Sequence, residues 1–143
     1  MDIFTSMKIS ASALKAQRLR LNTISSNLAN IETTRTPDGG PYRKREVVFK
    51  STQKGFADTL DSRMRDAANG VEVTHIQASS KPPRMVYDPS HPDADEQGYV
   101  AMPNVDLVEE TSDMMAASRA YEANVTVVKS AKRMALKALS IGQ

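Results

Sequence analysis

Met7-Lys-Ile-Ser-Ala-Ser-Ala-Leu14-Lys-Ala-Gln-Arg-Leu-Arg-Leu21-Asn-Thr-Ile24-Ser-Ser-Asn-Leu28 repeats an apolar residue every seven positions, and this spacing decides the fold. Ile3, Ser10, Gln17, Ile24 and Ile31 fill the alternate position, so the stretch reads as the a/d seam of a helix over about four heptads. The other end of the chain matches it: Leu107, Met114, Tyr121, Val128 and Ala135 recur at the same spacing, with Ala117, Asn124, Ala131 and Ala138 between them. A helix with one narrow apolar stripe cannot bury it alone. Each terminus therefore offers the other a partner, and the expectation is a mainly α protein. Its long N- and C-terminal helices pair as an antiparallel-like coiled coil, with a small, loop-rich β module between them. Ser10 and Gln17 either fix the register of the pair or are tolerated at an exposed end.

The expected organisation is a terminal helical domain from residues 1–34 and 106–143, with a β-rich module over 35–105. The first helix runs from near Ile3, with Asp2 as a cap, to about Ile31. Pro37 then stops any helix, Asp38-Gly39-Gly40 supplies positions of positive φ, and Pro41 restricts its neighbour. Strands are expected over Tyr42–Lys50, Val71–Gln77, Arg84–Tyr87 and Tyr99–Met102, punctuated by Pro82-Pro83, Asp88-Pro89, Pro92 and Pro103. Residues 51–70 fit either a brief helix or a mobile loop. The last helix starts between Val105 and Leu107 and runs to about Ile141, where Gly142 is a natural stop. Asp106, Glu109, Glu110 and Asp113 in its opening turns complement the helix dipole.

The 143 residues suffice for one domain or for a helical pair with a second module. Aromatic residues make up only 5% of the chain, and eight Met suggest adaptable helix contacts rather than a large aromatic core. Counted along the chain, residues 1–34 carry four bases and two acids, 35–106 ten and eleven, and 107–143 five and four. No segment has the single-signed field that nucleic acid or an anionic membrane requires. The run Arg43-Lys44-Arg45 reads as a solvated strand edge. Without Cys there are no disulfides, thiol nucleophiles or thiolate metal sites. No apolar run reaches membrane-spanning length, and the N-terminus lacks the pattern of a secretory signal.

The stretch that most resembles a chemical site is Asp88-Pro89-Ser-His91-Pro-Asp93-Ala-Asp95-Glu-Gln-Gly98. From Asp93 it imitates a calcium loop, but its twelfth position is Asn104, where a bidentate Glu is needed. Asp next to Pro makes turns through side-chain-to-backbone hydrogen bonds, so a turn without a tightly held ion is expected. His75 and His91 are the only histidines, and no nucleophile elbow, phosphate loop or His-Glu-x-x-His helix occurs. The chain reads as no enzyme, with no cofactor, catalytic residue or metal site.

Leu21-Asn-Thr-Ile-Ser-Ser-Asn27-Leu-Ala-Asn30 resembles the Asn-rich signature of the flagellar rod, hook and hook-associated axial proteins. Thr33-Thr-Arg-Thr-Pro37-Asp-Gly39-Gly40-Pro-Tyr42-Arg is similar to the form seen in proximal rod members. So are Val86-Tyr-Asp88-Pro89-Ser-His91-Pro-Asp93-Ala-Asp95, Gly98-Tyr-Val100 and Met102-Pro-Asn-Val105. Met115-Ala-Ala-Ser-Arg-Ala-Tyr121-Glu-Ala-Asn124, through Leu139-Ser-Ile-Gly142, completes the likeness. It covers almost the whole chain, and only residues 51–70 and 78–83 lack specific motifs.

The resemblance implies a structural subunit of the bacterial flagellar basal body. In that family paired terminal helices pack around a central channel, the β-rich portion lies outward, and the rod transmits torque from the membrane ring to the hook. It implies partners in other copies of the chain and in rod proteins of the FliE, FlgB, FlgF and FlgG types. It also implies type III export without a cleaved signal peptide, and a place in the rod within the periplasmic space. The seam residues Met7, Leu14, Leu21, Ile24, Leu28, Leu107, Met114, Tyr121, Asn124 and Val128 are then expected to carry assembly. The heptads alone indicate only helix pairing and leave a non-flagellar coiled-coil assembly or secreted adaptor as the alternative.

Overall fold

The long sevenfold pattern at each end folds as one uninterrupted helix, as a computed structural model describing residues 3–52 and 69–141 shows. Helix α1 spans Ile3–Ala29 and helix α2 spans Leu107–Ile141, 27 and 35 residues, or about 40 and 52 Å at 1.5 Å per residue. The expected Asp2 cap, the Gly142 stop and most of the ambiguous 51–70 segment lie outside the described residues. α1 ends two residues before Ile31. Asn30 Nδ2 donates to the Ser26 carbonyl (2.8 Å), and Thr33 Oγ1 donates to Asn30 Oδ1 (3.2 Å), closing the last turn with side chains. α2 begins where Asp106 Oδ1 accepts the backbone N–H groups of Val108 (2.8 Å) and Glu109 (3.0 Å) as an N-cap. Those two bonds, Glu109 first, hold the Asp106 carboxyl below the usual aspartate range.

The helices pack against each other along their length. They are antiparallel: Asn27 meets Glu110, and Arg20 meets Asp113 (3.2 Å), so α1 descends as α2 ascends. The deepest seam positions are small or polar. Ser10, Ala16, Thr23, Ile24 and Asn27 are buried on α1, and Glu110, Ala117 and Ala131 on α2. Met7, Leu14, Leu21 and Leu28, and across from them Met114, Tyr121, Asn124 and Val128, are only half-buried and flank the seam. Small residues at the contact let two helices approach closely, and the longer side chains then splay to either side. Ser10 is 5% exposed, so it sits inside the pair rather than at an exposed end. Leu107, expected in the seam, is instead 58% exposed. The chain enters α2 through Pro103 and Val105, both buried, and the first covered position within the helix falls to Glu110.

Among the described residues the middle forms two separate antiparallel ladders. Strands β1 (Arg45–Ser51) and β2 (Val71–Ala78) pair from Arg45↔Ala78 to Ser51↔Val71. Between Val48 and Phe49 the partner jumps from His75 to Val73, so Thr74 is a bulge on β2. This ladder lies on α1. Its open end is pinned where the Val71 N–H donates to Ser12 Oγ (3.1 Å), which itself donates to the Ile9 carbonyl. β3 (Arg84–Tyr87) and β4 (Tyr99–Met102) form the second ladder, with Tyr87 and Tyr99 edge-to-face at 5.3 Å. Val100, 1% exposed, is its main anchor. The first strand starts at Arg45 rather than Tyr42, because Tyr42 is drawn inward: its N–H bonds the Thr33 carbonyl (3.0 Å) and its ring is buried.

Candidate functional site

Asn27 and Glu110 are the two polar side chains most completely enclosed, each 1% exposed, and they face each other across the helix pair. A buried polar group is stable only if its hydrogen bonds are made. Asn27 makes all four that an amide can. Nδ2 donates to Glu110 Oε2 (3.0 Å) and to the Arg45 carbonyl (2.9 Å), while Oδ1 accepts from Tyr42 Oη (2.9 Å) and the Arg45 N–H (2.9 Å). With both groups of one backbone residue in hand, the Asn27 amide behaves as a strand neighbour and fixes where β1 begins. Glu110 Oε1 takes the Lys44 ammonium at 2.8 Å, and Glu109 Oε1 sits 3.2 Å from the same ammonium. One knot thus ties α1, the strand entry and α2 together.

Lys44 belongs to the run expected to be a solvated strand edge. Arg43 and Arg45 are exposed, but the Lys44 side chain is only 11% exposed. Burial alone would lower its pKa. Hydrogen bonds to Glu110 and Glu109, with their negative charges, together outweigh that and hold the ammonium above the ordinary lysine value. The Arg45 guanidinium, meanwhile, lies 5.9 Å from the Tyr42 ring centre. An open cleft of about 350 Å³ runs beside the knot between α1, β1 and α2, bounded by Arg20, Phe49 and Asp113 among others. Of the charged residues there, Arg20 pairs with Asp113 and Lys44 with Glu109 and Glu110, and neither histidine lines it.

The remaining motif residues build turns. Gly39 and Gly40 adopt positive φ (86° and 75°) in the loop after Pro37, closed by the Thr36 N–H on the Gly40 carbonyl (2.9 Å). The carboxylates of the acidic loop point at protein donors. Asp88 Oδ1 accepts the Ser90 hydroxyl (2.6 Å) and N–H (3.0 Å), which hold that carboxyl below the usual range. Asp93 accepts from Arg35 (2.6 Å) and Thr34 (2.8 Å), joining the loop to the exit of α1. Asp95 Oδ1 accepts the N–H groups of Gln97 and Tyr99 (2.9 and 2.8 Å), and His91 Nδ1 accepts that of Asp93 (3.1 Å). At Gly98, with φ 82°, an added Cβ would stand 2.9 Å from the Tyr87 ring and 3.2 Å from Pro89. Among the described residues no three His, Asp or Glu side chains gather as a metal site, and no helix is long and apolar enough to cross a membrane.

The described residues thus form a helical pair locked by a buried polar knot and flanked by hydrogen-bonded turns. Two family models match it: residues 7–35 fit "Flagella basal body rod protein" and residues 96–141 fit "Flagellar basal body rod FlgEFG protein C-terminal". Flagellar basal-body rod protein FlgC of Borreliella burgdorferi is 46% identical, covering all of this chain and 99% of the relative. The FlgC proteins of Bacillus subtilis and Salmonella typhimurium are 44% and 43% identical, with both partners covered in full. The chain belongs to the FlgC family of flagellar basal-body rod proteins. Its role is that of a structural subunit of the flagellar basal-body rod. The residues of the knot on both helices fall within the matched regions, Asn27 in the first and Glu110 in the second. Glu110 and Lys44 had no place among the residues expected to matter. Counting back seven from Ala117 places Glu110 in the seam, where a charge demands a buried cation.

Proposed function

We propose that this rod subunit assembles through its paired terminal helices, which pack with those of neighbours around a central export channel and carry torque toward the hook. The observation that supports this is the composition of the helix pair. Its most buried positions are small and polar, and Met7, Leu14, Leu21 and Leu28, with Met114, Tyr121 and Val128, keep part of their apolar surface uncovered. Apolar stripes of that kind gain free energy when a neighbour covers them. The neighbours are further copies and rod proteins of the FliE, FlgB, FlgF and FlgG types. The subunit reaches the periplasmic rod through the flagellar export apparatus, and it is no enzyme.

The test is complementation of a strain lacking this subunit. Leu14→Asp and Val128→Asp put a charge on the flanks of the pair rather than at its centre. Export of the variants with no completed rods in electron micrographs is the expected result. Normal rods and swimming with both variants would contradict the role of the helix flanks.

A further inference from the structure

Antiparallel pairing brings together charges that lie far apart in the sequence. From its start to Arg18, α1 carries Lys8, Lys15 and Arg18, all exposed, and no acid. Beside it, the later part of α2 carries Arg119, Lys129, Lys132, Arg133 and Lys137, also exposed, against a single acid, Glu122. The described residues of this free end therefore hold eight bases and one acid, whereas counts taken along the chain conceal the imbalance. The rest of the described residues hold eight bases and twelve acids. Their ion pairs, Arg20–Asp113, Arg35–Asp93 and Lys44 with Glu109 and Glu110, all lie there. Within that acidic part, residues 88–98 contain Asp88, Asp93, Asp95 and Glu96 and no lysine or arginine.

The two charged regions cannot neutralise each other within one molecule. Loop 88–98 is fastened by Asp93 to Thr34 and Arg35, just past the C-terminal end of α1, while the basic end surrounds its N-terminal end. Even from Arg18, the nearest of these bases along α1, about 11 residues or ~17 Å of helix remain to its C-terminal end, about twice the Debye length of ~8 Å at physiological salt. α2 also outruns α1 by about eight residues, or roughly 12 Å. Phe4 (73% exposed), Leu136 (58%) and Leu139 (71%) stand uncovered at that end.

We infer that the basic free end of the helix pair docks head-to-tail on the acidic β3–β4 loop region of a second copy of this chain. Such a contact is heterologous, so each copy keeps one unused end of each sign and the association propagates. Opposite charges set the partner and the polarity, and the exposed apolar residues supply burial once the ends meet. The inference rests on the reading of the chain as a self-assembling subunit.

The test is sedimentation velocity on the full chain. Self-association should weaken about tenfold or more between roughly 50 and 500 mM salt. Lys132→Glu with Arg133→Glu on one end should weaken it by a similar factor, as should Glu96→Lys with Gln97→Lys on the other. These side chains are exposed and hold no turn together. Combining all four should restore association to within about threefold of the parent. Equal, salt-insensitive association of parent and variants would overturn the docking mode while leaving the rod reading intact. Loss in both single-ended variants without recovery in the combination would overturn the pairing of these two ends. Absence of parent self-association at any salt would overturn it too. Binding to phosphatidylglycerol vesicles, lost with Lys132→Glu and Arg133→Glu while self-association persists, would assign the basic end to a lipid surface instead.

Discussion

At the junction end of the helix pair, Asn27, Tyr42 and Glu110 are buried, every hydrogen-bonding position of the Asn27 amide is occupied, and the Lys44 ammonium is closed in between two carboxylates. At the free end Phe4, Leu136 and Leu139 face outward and the charged side chains are almost all of one sign. The first region makes its contacts within one chain, and its central amide has no bonding position left. The second leaves uncovered the kind of surface that another molecule would cover. A subunit of a rod has to hold its own shape and also remain unfinished, and this fold assigns the two tasks to opposite ends of the same pair of helices.

The contrast predicts where a substitution harms the isolated chain. Glu110→Ala leaves the Lys44 ammonium with only the exposed Glu109 as partner and one Asn27 donor unpaired, and removing one member of a buried ion pair costs about 3–5 kcal/mol. Urea unfolding should show the loss as a lower midpoint at unchanged slope. A loss below about 1 kcal/mol would mean that water reaches the knot and screens it. The same site predicts a pH signature. The folded-state pKa of Lys44 is raised above its ordinary 10.5, so its contribution is complete below that pH and is lost as pH rises through the folded value. Lys44→Met should therefore flatten the alkaline fall in stability, and an unchanged alkaline limb would remove Lys44 from that role.

The β3–β4 loop tests whether the completed region extends past the helices. Gly98→Ala places a side chain at φ 82°, against the Tyr87 ring and Pro89. The left-handed conformation alone costs about 1–2 kcal/mol. The thermal midpoint should fall by several degrees, and an unchanged midpoint would show that this loop unfolds independently of the knot.

The sequence carried much of the architecture and little of the site. The strands Arg84–Tyr87 and Tyr99–Met102 match their expected limits residue for residue, because prolines bracket them and remove alternatives. The helices were legible because a sevenfold period over such a length has one physical reading. The knot was not, since Asn27 and Glu110 are 83 residues apart and no local pattern announces their meeting. Asn27 and Tyr42 were marked through family resemblance, without a reason for their chemistry. Glu110 was read as a dipole complement, and it does lie in the first turn of its helix, but its buried partners were not foreseen; Lys44 was read as a solvated residue, which packing overturned. The charge asymmetry was hidden for a related reason: it exists only after two distant segments lie side by side.

Gln17 lies on the seam between the two ends, half-buried, with an Oε1 that is enclosed and finds no donor among the described residues. A buried acceptor left unpaired costs about 1–3 kcal/mol, while an apolar side chain of similar shape avoids that cost. Gln17→Met should therefore raise the unfolding free energy by about 1 kcal/mol, opposite in sign to Glu110→Ala. A loss of stability would show that the amide is bonded after all, and that the completed region reaches further toward the free end.

The smallest effect on the isolated chain is expected at the free end itself. Leu136 and Leu139 are more than half exposed, so Leu136→Ser with Leu139→Ser removes little apolar area that folding had buried. Exposed substitutions of this kind stay within about 0.5 kcal/mol. If the surface is kept for a neighbour, the same pair should impair rod completion in the complemented strain while the purified chain unfolds at the parent midpoint. Hydrogen exchange on dilute protein sharpens the point. α1 is a helix whose innermost contacts are small and polar, and isolated helices are marginal without packing. Its amides from Met7 to Leu14 should exchange faster than those from Thr23 to Asn27 beside the knot, and the difference should shrink on assembly as neighbours cover the first turns. Uniform strong protection along α1 in the dilute chain would show both ends to be equally complete, and the division of labour between them would fail.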